Sequence, residues 1–446
     1  MVTTSKGTSF VRKILQASAI VCLALLTLGL ITAFYFDVYV SRLMVTHIFL
    51  KASGLIVFTF LITMLLRYCI LLSLATLYQW ENPPLATELD HYPMVTLILP
   101  AHNEGPVIEA SIRGAMSMDY PNFEVLVIDD GSTDDTYERA RALEPYYGGK
   151  LQVMTQPNGG KSRALNNAIS KARGEFVLCT DADSRLEPQT LKEAIKHFTD
   201  PDVVAVAGNV KIANRLNMLT RLQSLEYIEG LNLVRAAQAF LQKITVIPGP
   251  SGVFRKDAIV QIGGYLSDTF AEDCDLTLRL MLSGKRIKYE SRCVAWTEAP
   301  ESVNALFKQR YRWGRGILQA VMKHRRHLWN PFRDPLACLM LWNMLFESIA
   351  MVAMDFSGIL LFLLMALGGG VSSLVFLWWV ELTLLDVLAA VFCLTQEKED
   401  LRLVPYAILY RLFFIPFVDS MRFFASIDEL FNVRMGWFTQ QRMGRI

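Results

Sequence analysis

The sequence predicts an α/β domain in the middle of the chain, between apolar segments long enough to cross a membrane. Of the 446 residues, 52% are hydrophobic and only 19% are charged, which disfavours a wholly soluble protein. In the middle of the chain, short apolar runs alternate with helical stretches, as in a doubly wound parallel sheet. We therefore expect two N-terminal transmembrane helices in 1–84, the α/β domain in 85–330, and transmembrane and interfacial helices in 331–446.

Two apolar stretches precede the α/β domain. Residues 14–36 exceed the roughly 20 residues that a helix needs to cross a bilayer, and the basic residues before them predict a cytoplasmic N-terminus. A signal peptide is the alternative, but DVYVSR follows instead of a small-residue cleavage site. The second stretch, at about 43–79, returns the chain to the cytoplasm. Because Arg67 interrupts it, we expect this span to end near Arg67 and to continue along the membrane interface.

Three more apolar segments follow the α/β domain, at 336–367, 371–395 and 404–427. They bring the predicted number of spans to about five, with the last one amphipathic and either spanning or interfacial. The basic tail RMGWFTQQRMGRI suits a cytoplasmic membrane surface, whereas an odd number of spans would place it on the other side.

Several polar and aromatic residues lie within the C-terminal apolar segments. Carboxylates inside a membrane are costly and usually face a cavity or a partner. They could line a polysaccharide channel with tryptophans as sugar platforms, or they could form structural ion pairs. The residues concerned are Glu347, Asp355, Glu381, Asp386, Trp342, Trp378 and Trp379.

Charge and cysteine content exclude several classes of protein. A formal net charge of +2 gives no reason to expect a nucleic-acid partner. The seven cysteines are scattered without a CxxC pair, which argues against a zinc site and a disulfide framework and fits a reducing compartment.

The α/β domain contains five apolar runs that predict buried strands, with four helical stretches between them. The predicted strands are 95–100, 124–129, 151–156, 175–181 and 203–212, and the predicted helices are 106–116, 132–143, 161–172 and 189–198. Ligands in such sheets bind beyond the carboxyl ends of the strands, so the polar residues at those ends are the candidates for a site.

Acidic residues recur at those ends. The first strand ends in PAHNEG, the second in IDDGSTDDT and the fourth in TDADS. A helix cap is sufficient to explain Ser132, Thr133 and Asp135. It explains Asp129 and Asp130 less well, because both precede the turn glycine.

The pair Asp181 and Asp183 predicts a metal site. Two carboxylates two residues apart, directly after a strand, can share one hard divalent cation such as Mg²⁺ or Mn²⁺, which would bridge to a diphosphate. Asp-x-Asp alone occurs by chance in many loops, but a second acidic turn nearby favours the site. The loop PNGGKSRALN adds glycines for close backbone approach and Lys161 for an anionic group, without the spacing of a Walker loop.

Seven motifs occur in order: PAHNE, VIDDGSTDDT, GGKSRALN, DAD, PGPSGVFR, AED and QRYRW. Together, between membrane segments, they resemble the processive, membrane-embedded family 2 glycosyltransferases, which include the synthases of cellulose, chitin and hyaluronan. The layout is most similar to the bacterial poly-β-1,6-N-acetylglucosamine synthases. The resemblance implies a cytoplasmic GT-A (Rossmann-like) glycosyltransferase domain inserted between N- and C-terminal transmembrane helices.

The resemblance also implies roles for individual residues. Asp273 of AED would be the catalytic base, although Ala271 stands where the family has threonine. Asp181 and Asp183 would hold the metal. Nucleotide binding would fall to Asn103, Glu104, Asp130, Lys161, Asp181, Gln309 and Arg312, and acceptor binding to Glu272, Trp313, Ser251 and Gly252. Taken alone, AED could be a capped helix start, and QRYRW a basic cluster with an interfacial aromatic residue beside a membrane.

The expected function is a processive, inverting β-glycosyltransferase. It would polymerise a sugar from a UDP-sugar donor and extrude the polysaccharide, and N-acetylglucosamine is the sugar that we expect. The alternatives are a non-processive transferase that adds one sugar to a lipid carrier, a synthase of the hyaluronan, chitin or cellulose type, and a non-catalytic transporter with a nucleotide-sensing domain. The expected partners are the UDP-sugar donor, the growing polysaccharide acceptor, membrane lipid and a small membrane accessory subunit. The expected location is the inner (plasma) membrane, with the catalytic domain in the cytoplasm.

Overall fold

The computed structural model describes residues 48–82, 89, 91–368 and 372–433. The predicted span at 14–36 and the basic tail from 434 onward lie outside the described residues. Packing divides the chain into two units, which we call the helical unit (Met1–Pro83, Ile228–Phe240 and Phe346–Phe424) and the sheet unit (Pro84–Tyr227, Leu241–Leu345 and Ala425–Ile446). The three-part division made from the sequence stays a prediction.

The sheet unit is built on a sheet that has eight strands in the described part of the chain. The strands are β1 (Val95–Ala101), β2 (Phe123–Asp129), β3 (Leu151–Thr155), β4 (Phe176–Cys179), β5 (Ser184–Leu186), β6 (Val203–Ile212), β7 (Gly252–Arg255) and β8 (Arg286–Thr297). Their spatial order is β3-β2-β1-β4-β7-β6-β8-β5. All five predicted strands are present, and β1, β2 and β6 are almost wholly buried, as expected where both faces of a sheet are covered.

The sheet is mixed, whereas strand–helix alternation predicted a doubly wound parallel sheet. Strands β1 to β4 pair in parallel, but β7 runs antiparallel to both β4 and β6, and β5 runs antiparallel to β8. Strand β7 lies in the PGPSGVFR segment, whose proline and glycine residues read as a loop. It follows the excursion through 213–251 and enters the sheet in the opposite direction to its neighbours.

Helices make up most of the rest of the described chain. They are α1 (Ile48–Glu81), α2 (Ile108–Met116), α3 (Thr136–Ala142), α4 (Lys161–Lys171), α5 (Thr190–Ile195), α6 (Met218–Leu225), α7 (Leu233–Phe240), α8 (Lys256–Gln261), α9 (Glu272–Leu282), α10 (Val303–Lys323), α11 (Pro335–Leu345), α12 (Met351–Gly368), α13 (Ser372–Gln396), α14 (Tyr406–Leu409) and α15 (Ile415–Leu430). Turns of π-helix at Glu226–Asn232, Phe346–Ala350 and Tyr410–Phe414 interrupt three helical stretches.

The core of the sheet unit explains why these residues form these elements. Alternate residues of β1 and β2, such as Leu97 and Val125, pack with Ile108 and Ile112 of α2 and are fully buried. Ile108 and Ile112 are four residues apart, so they lie on one face of their helix. This packing fixes the direction in which the loops after β1 and β2 leave the sheet.

The helical unit contains α1, α12 and α13 around a small apolar core that includes Phe60, Met64 and Leu385. Among the described residues, three helical stretches are long and apolar enough to cross a membrane: Ile62–Glu81, Pro335–Leu360 and Leu401–Leu430. The described residues therefore contain three candidate membrane spans. The total of five stays a prediction.

Charged residues of the helical unit form ion pairs. Arg67 does not end α1 but lies inside it and pairs with Glu347 at 2.5 Å. Asp386 is completely buried and accepts hydrogen bonds from Arg411 at 2.5 and 2.8 Å and from the Tyr68 hydroxyl at 2.9 Å. For Glu347 and Asp386 these contacts favour the structural alternative over a channel lining. The side chains of Trp378 and Trp379 lie outside the described residues.

Candidate active site

Three loops that carry predicted site residues leave the same edge of the sheet. Strand β1 pairs with β2 on one side and with β4 on the other. The loops after these strands carry Asn103, Asp130 and Asp181. The first two loops are bonded directly, because the Asp130 backbone nitrogen donates to the Ala101 carbonyl at 2.8 Å. The acidic residues meet at the carboxyl edge, where sheets of this kind bind ligands.

Asn103 joins the loops after β1 and β2. Its φ of 57° lies in the left-handed region, which asparagine tolerates better than most residues. Its side-chain oxygen accepts from the Thr133 nitrogen at 2.8 Å, and its own nitrogen donates to Ser132 Oγ at 2.9 Å. The backbone nitrogen of Glu104 donates to Thr136 Oγ1 at 2.8 Å. These bonds hold both residues at the edge, and their contact with a nucleotide stays a prediction.

Asp130 holds the glycine turn in front of α4. Its Oδ1 accepts from the Gly159 nitrogen at 2.9 Å and from Gln156 Nε2 at 2.7 Å, and its Oδ2 accepts from the Gly160 nitrogen at 2.7 Å. Only 5% of Asp130 is exposed. The carboxylate predicted to hold uridine therefore fixes the turn that presents Lys161.

Lys161 lies between two carboxylates of the predicted site. Its Nζ is 2.6 Å from Asp181 Oδ1 and 3.6 Å from Glu272 Oε1. Burial alone would lower the pKa of the ammonium group, but Asp181 and Glu272 outweigh burial and raise that pKa above its usual value. A Cβ at Gly249 would lie 3.2 Å from Asp181 Oδ2 and 3.3 Å from Lys161 Nζ, so glycine there leaves room for the pair.

A cavity brings the predicted donor-side and base-side residues together. It is lined by Pro100, Lys161, Leu165, Cys179, Thr180, Asp181, Ile247, Pro248, Gly249, Phe254, Tyr265, Glu272 and Asp273. Three carboxylates and one ammonium group thus face one space with largely apolar walls. An anionic group of a ligand that enters this space could replace Asp181 or Glu272 as the partner of the Lys161 ammonium group.

Asp273 is the carboxylate of this cavity with the chemistry of a base. It is the second residue of α9, and its Oδ1 accepts from the Cys274 nitrogen at 2.8 Å. Burial first, and then the neighbouring Glu272, raise its pKa to about 6, against the opposing charges of Lys161 and Arg312. At neutral pH the group is ionised yet close to its pKa, which is the condition that favours proton abstraction.

Helix α10 brings Arg312 to the candidate base through a close contact. A Cβ at Gly316 would lie 2.6 Å from both the nitrogen and the Cβ of Ala271, so the helix touches that residue directly. Arg312 Nη1 donates to the Phe270 carbonyl at 3.4 Å, and the Phe270 nitrogen donates to Gln319 Oε1 at 3.0 Å. The three helical residues share one face because of their spacing. That face holds the segment leading into α9.

Arg310, two residues before Arg312, has a different environment. Arg310 is 3% exposed on its side chain, and its Nη2 lies 2.5 Å from Glu226 Oε2. Its guanidinium carbon stands 4.2 Å from the centre of the Trp313 ring, and the Tyr227 ring is 6.4 Å from that centre. It also donates to the side-chain oxygen of Gln309. Arg310 therefore positions Trp313 and Gln309, and Glu226 balances its charge.

Asp275 ties α9 to the end of α10. It is completely buried and lies 2.9 Å from Arg279, 2.9 Å from Lys323 and 3.0 Å from His324. Despite burial, the hydrogen bonds from His324 and Lys323 hold its pKa well below the usual value. The ion cluster fixes the two helices that carry the candidate base and Arg312.

Ser251 and Gly252, which were predicted to bind the acceptor, are not among the residues that line this cavity. Ser251 is completely buried, and Gly252 begins β7 with its backbone paired to β4 and β6. A Cβ at Gly208 of β6 would lie 2.8 Å from that of Ser251, so this serine packs within the sheet. Pro248 and Gly249 of the same segment reach the cavity instead.

The metal ligands predicted from the sequence are consistent with a hard cation. Asp181 lines the cavity, and Asp183 is buried two residues later. No group of three or more histidine, cysteine or acidic residues able to hold a metal ion is found in the described ranges. Mg²⁺ and Mn²⁺ commonly take only one or two carboxylates and complete their shell with phosphate oxygens and water. The donor set fits such an ion bound together with a diphosphate.

Comparison with known proteins agrees with this geometry. Residues 96–263 match the sequence profile described as Glycosyl transferase family 2. This part of the chain is therefore similar to the family 2 glycosyltransferases. The matched range contains β1 to β4, the acidic loops and the Lys161 turn, and it ends before Asp273.

Curated relatives share the likeness over a longer stretch than the sequence profile. Poly-beta-1,6-N-acetyl-D-glucosamine synthase of Staphylococcus aureus (strain COL) is 32% identical over 255 residues, which are 56% of this chain and 61% of that protein. The protein of the same name from Staphylococcus epidermidis is 30% identical over 259 residues, which are 58% of this chain and 61% of that protein. The chain therefore matches about three fifths of the length of these relatives.

A solved structure shows the same fold. A mannosyltransferase from Pyrobaculum calidifontis, in complex with GDP-Man and Mn²⁺, superposes with a TM-score of 0.56 and 22% identity over 82% of this chain and 99% of that chain. At this identity the likeness concerns the fold alone. It confirms the GT-A-like mixed sheet.

Four residues of the site were missed by sequence reasoning: Glu226, Arg310, Asp275 and Gly316. Glu226 and Asp275 looked like ordinary acidic residues of helices. Arg310 was read with Arg312 as one basic cluster. Their separation by two residues places them about 200° apart around a helix, a signal that distinguishes them.

Proposed function

We propose that this chain is a processive, inverting β-glycosyltransferase that polymerises N-acetylglucosamine from a UDP-sugar and extrudes the polymer across a membrane. The observation that carries the proposal is the cavity in which Lys161, Asp181, Glu272 and Asp273 converge. The names of the relatives support the choice of sugar and of a β-1,6 linkage, and the candidate membrane spans support extrusion.

The donor would bind across the carboxyl edge of the sheet. In this proposal Asn103, Glu104 and the loop held by Asp130 contact the uridine. Asp181 and Asp183 would hold Mg²⁺ or Mn²⁺, which when bound neutralises charge on the diphosphate. Lys161 would exchange its carboxylate partner for a diphosphate oxygen, because a doubly charged cation on Asp181 competes for the same oxygen atoms.

Transfer requires one base and one stabiliser of the leaving group. The acceptor hydroxyl oxygen attacks the anomeric carbon of the donor sugar, and the bond from that carbon to the diphosphate oxygen breaks. The electron pair leaves with UDP, and the hydroxyl proton passes to Asp273. Arg312 stabilises the charge that develops on the diphosphate. Attack from the face opposite the leaving group inverts an α-linked donor to a β-linked product.

The acceptor end of the polymer would stack on Trp313. One side of that ring carries Arg310 at 4.2 Å, so the sugar is left with the other side. Glu272 would accept a hydrogen bond from an acceptor hydroxyl. A processive enzyme must hold the product while the next donor binds, and an aromatic platform does so without fixing the chain in one register.

The same proposal includes an inner-membrane location with the catalytic domain in the cytoplasm, where UDP-sugars are made. It also includes a small membrane accessory subunit, as the family resemblance implies. Comparing the purified chain with the chain in its native membranes tests the need for that subunit through the rate of polymer formation.

The deciding experiment supplies the full chain in lipid nanodiscs with Mg²⁺ or Mn²⁺ and separate UDP-sugars. We expect UDP release with UDP-N-acetylglucosamine, and a high-molecular-weight product that a β-1,6-N-acetylglucosaminidase degrades. The Asp273→Asn variant should still bind UDP while it loses transfer, and it therefore controls for contaminating enzymes.

Other products would correct the proposal in defined ways. A single-sugar lipid product would replace the processive reaction by the non-processive alternative. A polymer made from another UDP-sugar would indicate a synthase of the hyaluronan, chitin or cellulose type. Nucleotide binding without transfer in the wild-type chain would leave the non-catalytic alternative.

A further inference from the structure

The segment between α10 and α11, which we call the basic–aromatic loop (residues 325–333), exposes large aromatic side chains. Trp329 is 75% exposed and Phe332 is 98% exposed. Leu336 and Leu339, at the start of α11, are exposed as well. Solvent-facing apolar groups in a continuous strip indicate contact with another molecule or with a membrane.

The same loop carries uncompensated positive charge. Arg325, Arg326 and Arg333 are exposed. Within the part of the chain that the structure describes, no carboxylate oxygen lies within 4.0 Å of their guanidinium nitrogens. Asp334, which directly follows the loop in sequence, is engaged by Lys243 and caps α11 by accepting a hydrogen bond from the Ala337 nitrogen at 3.0 Å. The loop therefore presents three cations without a balancing anion.

The first part of the loop is ordered by local structure and by contacts with Trp342. Residues Arg325–Trp329 form a turn of 3₁₀ helix, and the rings of Trp329 and Trp342 meet edge to face at 5.3 Å. Trp342 in turn donates from Nε1 to the Leu328 carbonyl at 2.9 Å. Trp342 therefore holds both the Trp329 ring and the backbone of the loop at Leu328 in place.

The position of the loop in the chain indicates which molecule contacts it. The loop leads without a break into Pro335–Leu360, a stretch long and apolar enough to cross a membrane. Aromatic side chains at the end of such a span lie at the level of the lipid headgroups, and unpaired arginines there attract anionic lipids. We propose that the basic–aromatic loop is a binding surface for anionic phospholipid headgroups. Charge complementarity favours anionic over zwitterionic lipid.

The charge is tested by replacing the three arginines in the full-length chain: Arg325→Gln, Arg326→Gln and Arg333→Gln together. Native mass spectrometry of protein extracted from mixed phosphatidylglycerol and phosphatidylcholine measures which lipid is retained. We expect the wild-type chain to retain phosphatidylglycerol preferentially and the triple variant to lose that preference by roughly tenfold or more.

A matched control removes the same charge elsewhere: Arg113→Gln, Lys171→Gln and Lys285→Gln, three exposed residues of the sheet unit. This control should retain phosphatidylglycerol like the wild-type chain. Equal retention by the arginine triple variant would overturn the proposal. An equal loss in both triple variants would attribute lipid preference to net charge and would overturn it too.

The aromatic part has its own readout. Lipids brominated near the headgroup quench nearby tryptophan fluorescence, so the difference between the wild-type chain and Trp329→Phe reports the position of Trp329. We expect this difference signal to be quenched in nanodiscs of brominated phosphatidylglycerol and less so in brominated phosphatidylcholine. An unquenched signal would mean that Trp329 faces another partner, such as a protein. Neither readout requires glycosyl transfer, so both stand or fall independently of the proposed function.

Discussion

Asp273 combines two demands that oppose each other. Desolvation of this half-buried carboxylate and the neighbouring Glu272 raise its pKa to about 6, which suits a base at neutral pH. The same pKa lies above that of an unfolded aspartate, so the folded state binds more protons than the unfolded state. This group's contribution to stability therefore falls as the pH rises through about 6. The ionised base costs stability where the proposed enzyme would work.

We predict that Asp273→Asn abolishes transfer and raises the unfolding temperature at neutral pH. The gain in the free energy of unfolding should be about 3 kcal/mol, since the pKa of Asp273 is raised from 3.8 to about 6 and one pKa unit corresponds to roughly 1.4 kcal/mol. Thermal unfolding at pH 7.5 and at pH 5 measures it, and the gain should shrink at the lower pH. An unfolding temperature that does not change with the substitution at either pH would contradict the raised pKa.

The acid limb of the pH profile offers a second test of the same group. For the wild-type chain we expect kcat/KM to fall below about pH 6, because kcat/KM reports the protonation state of the free enzyme. Arg312 opposes the rise in pKa, so Arg312→Gln should move this limb to higher pH as well as lower kcat. If the acid limb of Arg312→Gln stays at the wild-type pH, the charge of Arg312 does not lower the pKa of Asp273.

The two arginines of QRYRW should respond differently to substitution. Arg312→Gln should lower kcat by about 10²- to 10³-fold, the usual cost of losing a group that stabilises charge in the transition state. Arg310→Lys keeps the charge but loses the flat contact with Trp313 and the fork that meets Glu226. It should raise KM for an oligosaccharide acceptor and change the Trp313 fluorescence, with a smaller loss of kcat than in Arg312→Gln. Identical kinetic effects of the two substitutions would refute the division of roles.

At the scale of elements, the contact between α10 and the start of α9 sets the distance from Arg312 to Asp273. The contact depends on a glycine, because a Cβ at position 316 would lie 2.6 Å from the backbone of Ala271. Asp275 supports the same arrangement from the far end of α10 through Lys323 and His324. The candidate site is therefore held by helix packing on one side and by the sheet edge on the other.

We predict that Gly316→Ala lowers kcat by at least about tenfold, since the helix must shift to admit the methyl group and displacements of this kind are costly to catalysis. The control is Gly114→Ala in α2, where the added Cβ would meet only Arg185 Cγ at 3.8 Å. The control should retain activity and gain slightly in stability, because alanine favours the helix. Comparable losses of kcat in both variants would rule out a specific role for the contact.

At the scale of the whole molecule, each unit buries charges that are paired within it. In the helical unit, completely buried Asp386 meets Arg411 and the Tyr68 hydroxyl. Breaking a buried pair by removing one partner leaves an uncompensated charge, whereas removing both partners costs much less. The Asp386–Arg411 pair therefore adds little net stability. Its main effect is to disfavour any helix packing that would leave one of the two charges without its partner.

We predict that Asp386→Asn and Arg411→Gln each destabilise the chain by about 3–5 kcal/mol, and that the double variant is less destabilised than the sum. Thermal unfolding in one detergent measures all three variants. Tyr68→Phe, which removes a single hydrogen bond, is the control and should cost about 1 kcal/mol. Additive losses would mean that the two residues act independently.

The sequence by itself determined the parts that depend on local pattern. The buried strands of 95–101 and 123–129 were predictable because continuous apolar runs between turn residues have few other solutions. The acidic loops followed from the rule that ligands bind at the carboxyl ends of strands, and Asp181 and Asp273 do face one cavity. The chain order of the motifs was sufficient to predict a family 2 glycosyltransferase domain.

Only the tertiary structure decided the features that depend on contacts distant in sequence. The direction of β7, the burial of Ser251 and the pairing of Arg67 with Glu347 each involve partners that no local pattern reveals. The division between Arg310 and Arg312 is of the same kind, because Glu226 lies 84 residues away from the arginine that it neutralises. Local sequence fixes which face a side chain occupies, but long-range packing fixes what that face meets.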